Sequence, residues 1–183
     1  MKVIAGKLRG KKIKAPKGLA TRPVLARVRE ALFNILGDMD GLRFLDLYAG
    51  TGAVGLEALS RGAKTVTFVE LGALQCRIIR ENLASLEKDS VIIRSDVLRA
   101  LKRIKKKERS FDIVFADPPY EQGLSQKTIH MVCDNQILSE SGIIAVTARS
   151  SEELPQKAGN CEIVLERRYG DTKLALYKYT KHI

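Results

Sequence analysis

Two short runs of this 183-residue sequence hold residues whose types and spacing could do chemistry, 46-DLYAGTGAVG-55 and 117-DPPY-120. The first contains G-x-G-x-x-G (Gly50, Gly52, Gly55), and Glu70 stands twenty positions after its first glycine. That is the spacing of a dinucleotide-binding turn. Asp46 speaks against a dinucleotide, whose pyrophosphate would lie at this turn against a helix N-terminus. Two unit charges ~4 Å apart repel by about 4 kcal/mol at an effective dielectric near 20. A ligand that is cationic there suits Asp46, and S-adenosylmethionine carries a sulfonium and an ammonium with no phosphate. Glu70, closing the second strand, can accept from both ribose hydroxyls. Asp96 can accept from an adenine amino group while the Val97 backbone serves the ring. With their neighbours these give the candidate cofactor set Asp46, Tyr48, Gly50, Thr51, Gly52, Glu70, Leu71, Asp96 and Val97. Taken alone, each acid reads first as a helix N-cap at a strand–helix junction. Three acids ending three consecutive strands beside the glycine loop favour S-adenosylmethionine.

The second run supplies the candidate catalytic residues Asp117, Pro118, Pro119 and Tyr120. Consecutive prolines lack N–H groups and fix φ, so the Asp117 and Pro118 carbonyls are kept out of a helix. An exocyclic amine on a nucleobase is conjugated with its ring and a poor nucleophile. If the Asp117 carboxylate and the Pro118 carbonyl accept its two protons, the nitrogen is drawn toward tetrahedral geometry and its lone pair is exposed. This is positioning and preorganised electrostatics, with Asp117 as the acceptor of the departing proton. Tyr120 offers a flat face for a flipped base, worth ~1–3 kcal/mol per base. Without the glycine loop, D-P-P-Y would read as a rigid loop start.

The elements that must position these residues follow from hydrophobic periodicity. Apolar residues at 24, 25, 28, 31, 32, 35 and 36 predict a helix ending before Gly37. Apolar runs at 43–48, 65–70, 91–96, 111–116 and 142–148 predict strands, and helices are expected at 53–61, 72–86, 97–107 and 125–137. Strands separated by helices make a parallel sheet covered on both faces. Segments 161–169 and 173–180, parted only by Gly170-Asp171-Thr172, should pair as an antiparallel hairpin. The expected fold class is α/β: Rossmann-like, doubly wound, with a mostly parallel seven-stranded sheet and an antiparallel C-terminal strand. If strand 161–169 runs parallel to the others, the turn Tyr169-Gly170-Asp171-Thr172 lies on the same edge as DPPY, as a plain turn or a substrate contact. Residues 1–14 read as two short strands, a small basic β-hairpin.

Charge is unevenly placed. Residues 1–30 carry ten Lys or Arg against one acid, which is +9 of a total of +11, and 99-RALKRIKKKER-109 adds +6. Two basic patches on a body that is otherwise net acidic point to a polyanion, and for the N-terminal concentration to nucleic acid. Hydrophobic content of 45% with mixed charge predicts a globular, soluble chain, not a disordered one. No run approaches the ~20 apolar residues of a membrane span, and the opening residues are too polar for a signal peptide. Cys76, Cys133 and Cys161 have no C-x-x-C and no histidine pair beside them, so reduced thiols in a cytosolic protein and no metal site are expected. His130, inside a helix, and His182, in the terminal tail, are unlikely catalysts.

Taken with 3-VIAGKLRGKKIKAPKG-18, 21-TRP-23, 27-RVREALFNIL-36, 45-LDLYAGTGAVGLEALSRGA-63, 68-FVE-70, 111-FDIVFADPPY-120 and 169-YGDT-172, the chain resembles the RsmD family over nearly its whole length. Members of that family methylate N2 of guanine 966 in bacterial 16S ribosomal RNA. The glycine loop and DPPY suit many amino-methyltransferases, whereas the basic arm joined to RVREALFNIL is far more specific. The resemblance implies a cytoplasmic class I S-adenosylmethionine-dependent methyltransferase, expected as a monomer, acting on 16S rRNA or a small-subunit assembly particle. Residues 1–20 would form a basic arm and 21–183 the methyltransferase domain, with Lys7, Arg9, Lys11, Lys12, Arg22 and Arg27 on RNA phosphates. Phosphate contacts position a substrate without specifying its sequence. Two features depart from the family: Val24-Leu25-Ala26 replaces a polar stretch, and Val146-Thr147-Ala148 ends a strand that often ends in an acid. The competing functions are a DNA adenine-N6 methyltransferase, a protein glutamine-amide methyltransferase, and a non-catalytic RNA-binding assembly factor.

Overall fold

The computed structural model describes residues 1–16, 23–84, 86, 89–106, 110–120 and 123–180. Arg22, His182 and the boundary expected at 20/21 lie outside them. Eight strands form one sheet: β1 (Arg43–Leu47), β2 (Thr65–Glu70), β3 (Ser90–Arg94), β4 (Phe111–Ala116), β5 (Leu138–Arg149), β6 (Lys157–Ala158), β7 (Cys161–Tyr169) and β8 (Thr172–Tyr179). Their order is β3-β2-β1-β4-β5-β8-β7-β6. The first five are parallel, and β8 runs antiparallel to both β5 and β7. The seven expected strands are present, and β6 adds an eighth of two residues at the edge, antiparallel to β7. So short a polar segment leaves no period to read.

Helices α1 (Pro23–Leu36), α2 (Ala53–Ser60) and α3 (Ala73–Leu83) cover one sheet face, and α4 (Val97–Lys106) and α5 (Leu124–Asp134) cover the other. Leu32, Phe33, Leu59 and Ile79 pack with Phe44, Phe68 and Phe115 in the first layer. Leu101, Ile104, Ile129 and Val132 pack with Leu45, Leu47 and Val114 in the second. Alternation along each strand decides which side chains share a face. Asp46 pairs with Phe115 in register and so shares the α1–α2–α3 face with Phe44. Two residues on, Asp117 points the same way, as does Thr147 two residues beyond Ala145. The strand order reverses between β1 and β4, the crevice where such sheets bind ligands.

The N-terminal segment is a hairpin, but its expected strands are reduced to one antiparallel bridge between Lys2 and Lys12. Gly6 and Gly10 take left-handed φ of +81° and +84°, so turns occupy the length that strands would need. Val3 and Ile13 anchor it by packing on Leu56. All three cysteines are buried and free. Although 28 positions apart in sequence, Cys133 and Cys161 lie in the same buried cluster.

Candidate active site

Each glycine of the loop has its own task. Gly50 and Gly52 take φ of 54° and 75°, which side chains rarely tolerate. A Cβ on Gly55 would come within 2.2 Å of Phe68, so the third glycine lets α2 lie directly on the sheet. The loop closes onto carboxylates. Glu70 accepts from Gly50 N at 2.8 Å and from Gly72 N at 2.7 Å. Asp46, 1% exposed, accepts from Gly55 N at 2.9 Å through Oδ2, which caps α2 from the neighbouring strand. Burial pushes the Asp46 carboxyl well above the ordinary aspartate range. The Gly55 N–H opposes that shift, while the charges of Asp117 and Glu70 add to it. Between them stands Tyr48, in left-handed conformation at φ 57°, its hydroxyl sharing a hydrogen bond with Thr128 at 2.9 Å. Strain of this kind in a non-glycine residue clusters at functional sites.

Asp117 follows β4 directly. Thr147 donates its hydroxyl to the Asp117 carboxylate from the neighbouring strand. Thr147 is thus a neutral donor beside the candidate catalytic carboxylate. Tyr120 is 37% exposed and shares a hydrogen bond with Thr172 at 2.9 Å. The Arg149 guanidinium lies over its ring, 5.2 Å from the centroid. Strand β7 does run parallel to the first five, and the β7–β8 turn does reach the DPPY edge, where it holds Tyr120 by its hydroxyl.

Asp46, Tyr48, Gly50, Thr51, Asp117 and Thr147 line a single cavity of about 580 Å³, within the roughly 300–1,000 Å³ of small-molecule sites. Its other wall is the N-terminal segment and α1, through Met1, Lys2, Pro16 and Arg29. The residues fit S-adenosylmethionine: a carboxyl raised above its ordinary range by burial, with neighbouring negative charge adding to the shift, gains from a cation and would oppose a pyrophosphate. Asp96 and Val97 do not line this cavity. Asp96 is exposed and accepts from Arg99 N at 3.1 Å, the cap of α4, while the Val97 side chain is buried under that helix. Leu71 is 66% exposed, Pro118 is buried and Pro119 exposed. His130 is exposed on α5 and outside the cavity. Among the described residues no group of His, Cys, Asp and Glu could hold a metal ion.

The arm is fastened by side chains that sequence periodicity did not single out. Glu57 is fully buried on α2 and accepts from Ile4 N at 2.7 Å, Ala5 N at 2.9 Å and Arg61 Nε at 2.9 Å. Ser60 accepts from Leu8 N, and Asn82 accepts from Lys14 N at 2.8 Å while donating to the Thr51 carbonyl at 3.1 Å. Because backbone groups make these bonds, Lys7, Arg9 and Lys12 stay exposed, as does Arg27 on α1, while Lys11 is partly buried. An acid inside 53-AVGLEALS-60, with Arg61 one turn on, is the one signal that could have found Glu57.

The sequence profile described as "Conserved hypothetical protein 95" matches residues 1–178. The chain is 37% identical to YlbH of Bacillus subtilis (strain 168) over 181 residues, covering 97% of this chain and 98% of that one. It is 34% identical to ribosomal RNA small subunit methyltransferase D of Escherichia coli (strain K12) over 180 residues, covering 97% and 89%. The solved structure of yhhF from Escherichia coli superposes with a TM-score of 0.85 at 35% identity, covering 98% and 97%. With the glycine loop, DPPY and the anchored basic arm all in place, the chain belongs to the Conserved hypothetical protein 95 family, that of the RsmD-type methyltransferases.

Proposed function

We propose that this chain methylates ribosomal RNA of the small subunit, and that its target is the exocyclic N2 amine of a guanine, the position corresponding to guanine 966. The observation that carries this is the meeting of Asp46 and Asp117 in one cavity whose far wall belongs to the basic arm. S-adenosylmethionine, when bound, supplies a methyl group on a sulfonium. Asp46 and the Gly50–Gly52 turn would hold its cationic end, and Glu70 fixes the loop through the Gly50 amide. Asp117 then orients the guanine amine, accepting one N–H at its carboxylate while the Pro118 carbonyl accepts the other, and Asp117 takes the proton released on transfer. Thr147 holds the Asp117 carboxylate in place. Tyr120, tied by Thr172 and Arg149, supplies a fixed stacking face. Residues 1–20 serve as an arm on RNA phosphates through Lys7, Arg9, Lys11 and Lys12, joined by Arg22 and Arg27 of the methyltransferase domain.

The test is quantitative nucleoside mass spectrometry of small-subunit RNA from cells with and without the gene, with the affected position mapped. Deletion should remove one N2-methylguanosine, restored by the wild-type gene and not by Asp117→Ala. Unchanged RNA would reject the substrate assignment, and DNA N6-methyladenine would be measured in the same cells.

A further inference from the structure

The cavity holds a buried cation that the proposed chemistry does not use. Arg29 on α1 is 5% exposed and lines the same cavity as Asp46 and Asp117. Its Nη2 donates to the Lys2 carbonyl at 2.8 Å, and its Nε has no hydrogen-bond partner among the described residues. The facing acid, Glu57, lies 4.0 Å from Nε, too far for a hydrogen bond. Glu57 is in any case engaged with Ile4 N, Ala5 N and Arg61 Nε. Burial pulls the Arg29 pKa down, Glu57 opposes that, and Arg61 adds to it, yet a guanidinium stays charged at neutral pH. A buried donor without an acceptor is uncommon in native proteins and calls for a reason.

The walls of the cavity are therefore of opposite sign, with a guanidinium from α1 and carboxylates from β1 and β4. That is the complement of a zwitterion. The methionine end of S-adenosylmethionine is one, with an α-ammonium beside an α-carboxylate. Asp46 serves the cationic groups, and a planar guanidinium matches a carboxylate. Lys2 also reaches the cavity, but it is an exposed point charge. We infer that Arg29 receives the α-carboxylate of S-adenosylmethionine, which supplies the acceptor its buried guanidinium lacks. This rests on the cofactor assignment made above.

Calorimetry of the full chain with S-adenosylhomocysteine and with its decarboxylated analogue tests it, in wild type, Arg29→Gln and Lys2→Met. A hydrogen-bonded charge pair implies that wild type and Lys2→Met bind the decarboxylated analogue about tenfold more weakly or worse. Arg29→Gln should bind the two within about twofold of each other on the same reasoning. The inference is overturned if wild type does not distinguish the two ligands, or if Arg29→Gln keeps the wild-type ratio. Should Arg29→Gln fail to fold, the Arg29 Nε–Hε resonance of wild type decides, identified by its loss in Arg29→Lys. It should move with S-adenosylhomocysteine and not with the analogue, and an equal response to both overturns the inference. If neither ligand nor 5′-methylthioadenosine binds, the cofactor assignment falls and this falls with it. Equal binding of all three removes Arg29's role alone.

Discussion

Asp46 combines two demands that pull its proton in opposite directions. Burial and the charges of Asp117 and Glu70 raise its pKa in the folded chain. The unfolded chain gives up that proton at lower pH, so stability falls as pH rises from the ordinary aspartate range through the folded value. Asp46→Asn cannot ionise and keeps an oxygen for the Gly55 N–H. Thermal melts across pH should show this slope flattened, with a Tm at pH 7 no lower than wild type, while S-adenosylmethionine binds about tenfold more weakly for want of a charged acceptor. Thr147→Val removes the donor to Asp117 without changing volume much. The expected result is a fall in kcat of about tenfold, cofactor Kd unchanged by calorimetry, and recovery in Thr147→Ser. Asp46 and the glycines were legible because their meaning is carried by neighbours within ten positions, and DPPY because the glycine loop was already read. Arg29, Glu57 and Thr147 were not, since each owes its role to partners that only folding brings near. Asp96 sits where the pattern put it, yet its nearest task is the cap of α4.

Among the elements, β2, β4 and β7 occupy the expected spans because their apolar runs are bounded by turn-forming residues. Strand β5 begins four residues early, at Leu138, and pays for it with a break in register: Phe111 pairs with Leu138 but Ile113 with Ile143. The polar residues 139-SESG-142 hide that extension from any alternating pattern. The hairpin depends on backbone geometry that only one residue type permits. A Cβ on Gly6 would lie 2.0 Å from the Ser60 carbonyl oxygen, and the φ of +81° is itself unfavourable for other residues by ~1–2 kcal/mol. Gly6→Ala should release the arm and leave the sheet folded. Limited trypsin digestion should then cut after Lys7 and Arg9 several-fold faster, with only a modest loss in Tm.

For the molecule as a whole, the two basic patches turn out to lie on different faces. The arm sits over α2 and α3, whereas Arg99, Lys102, Arg103 and Lys105 project from α4 on the far side of the sheet. On the function proposed above, an RNA segment entering the cavity would therefore meet the arm first. Replacing Lys7, Arg9 and Lys12 with Ala should lower the slope of log K against log[salt] by ~0.7–0.9 for each lost phosphate contact, read by filter binding. Replacing Arg99, Lys102 and Arg103 should leave single-turnover methylation at saturating RNA unchanged. Linear charge counting could find both patches, but only topology separates them. The arm also precedes its anchors in the chain: Ile4 waits for Glu57, and Lys14 for Asn82, 68 positions later. During synthesis the basic residues thus emerge on a loose leader beside the ribosome's own RNA. The cavity cannot close until α3 has been made and drawn that leader back.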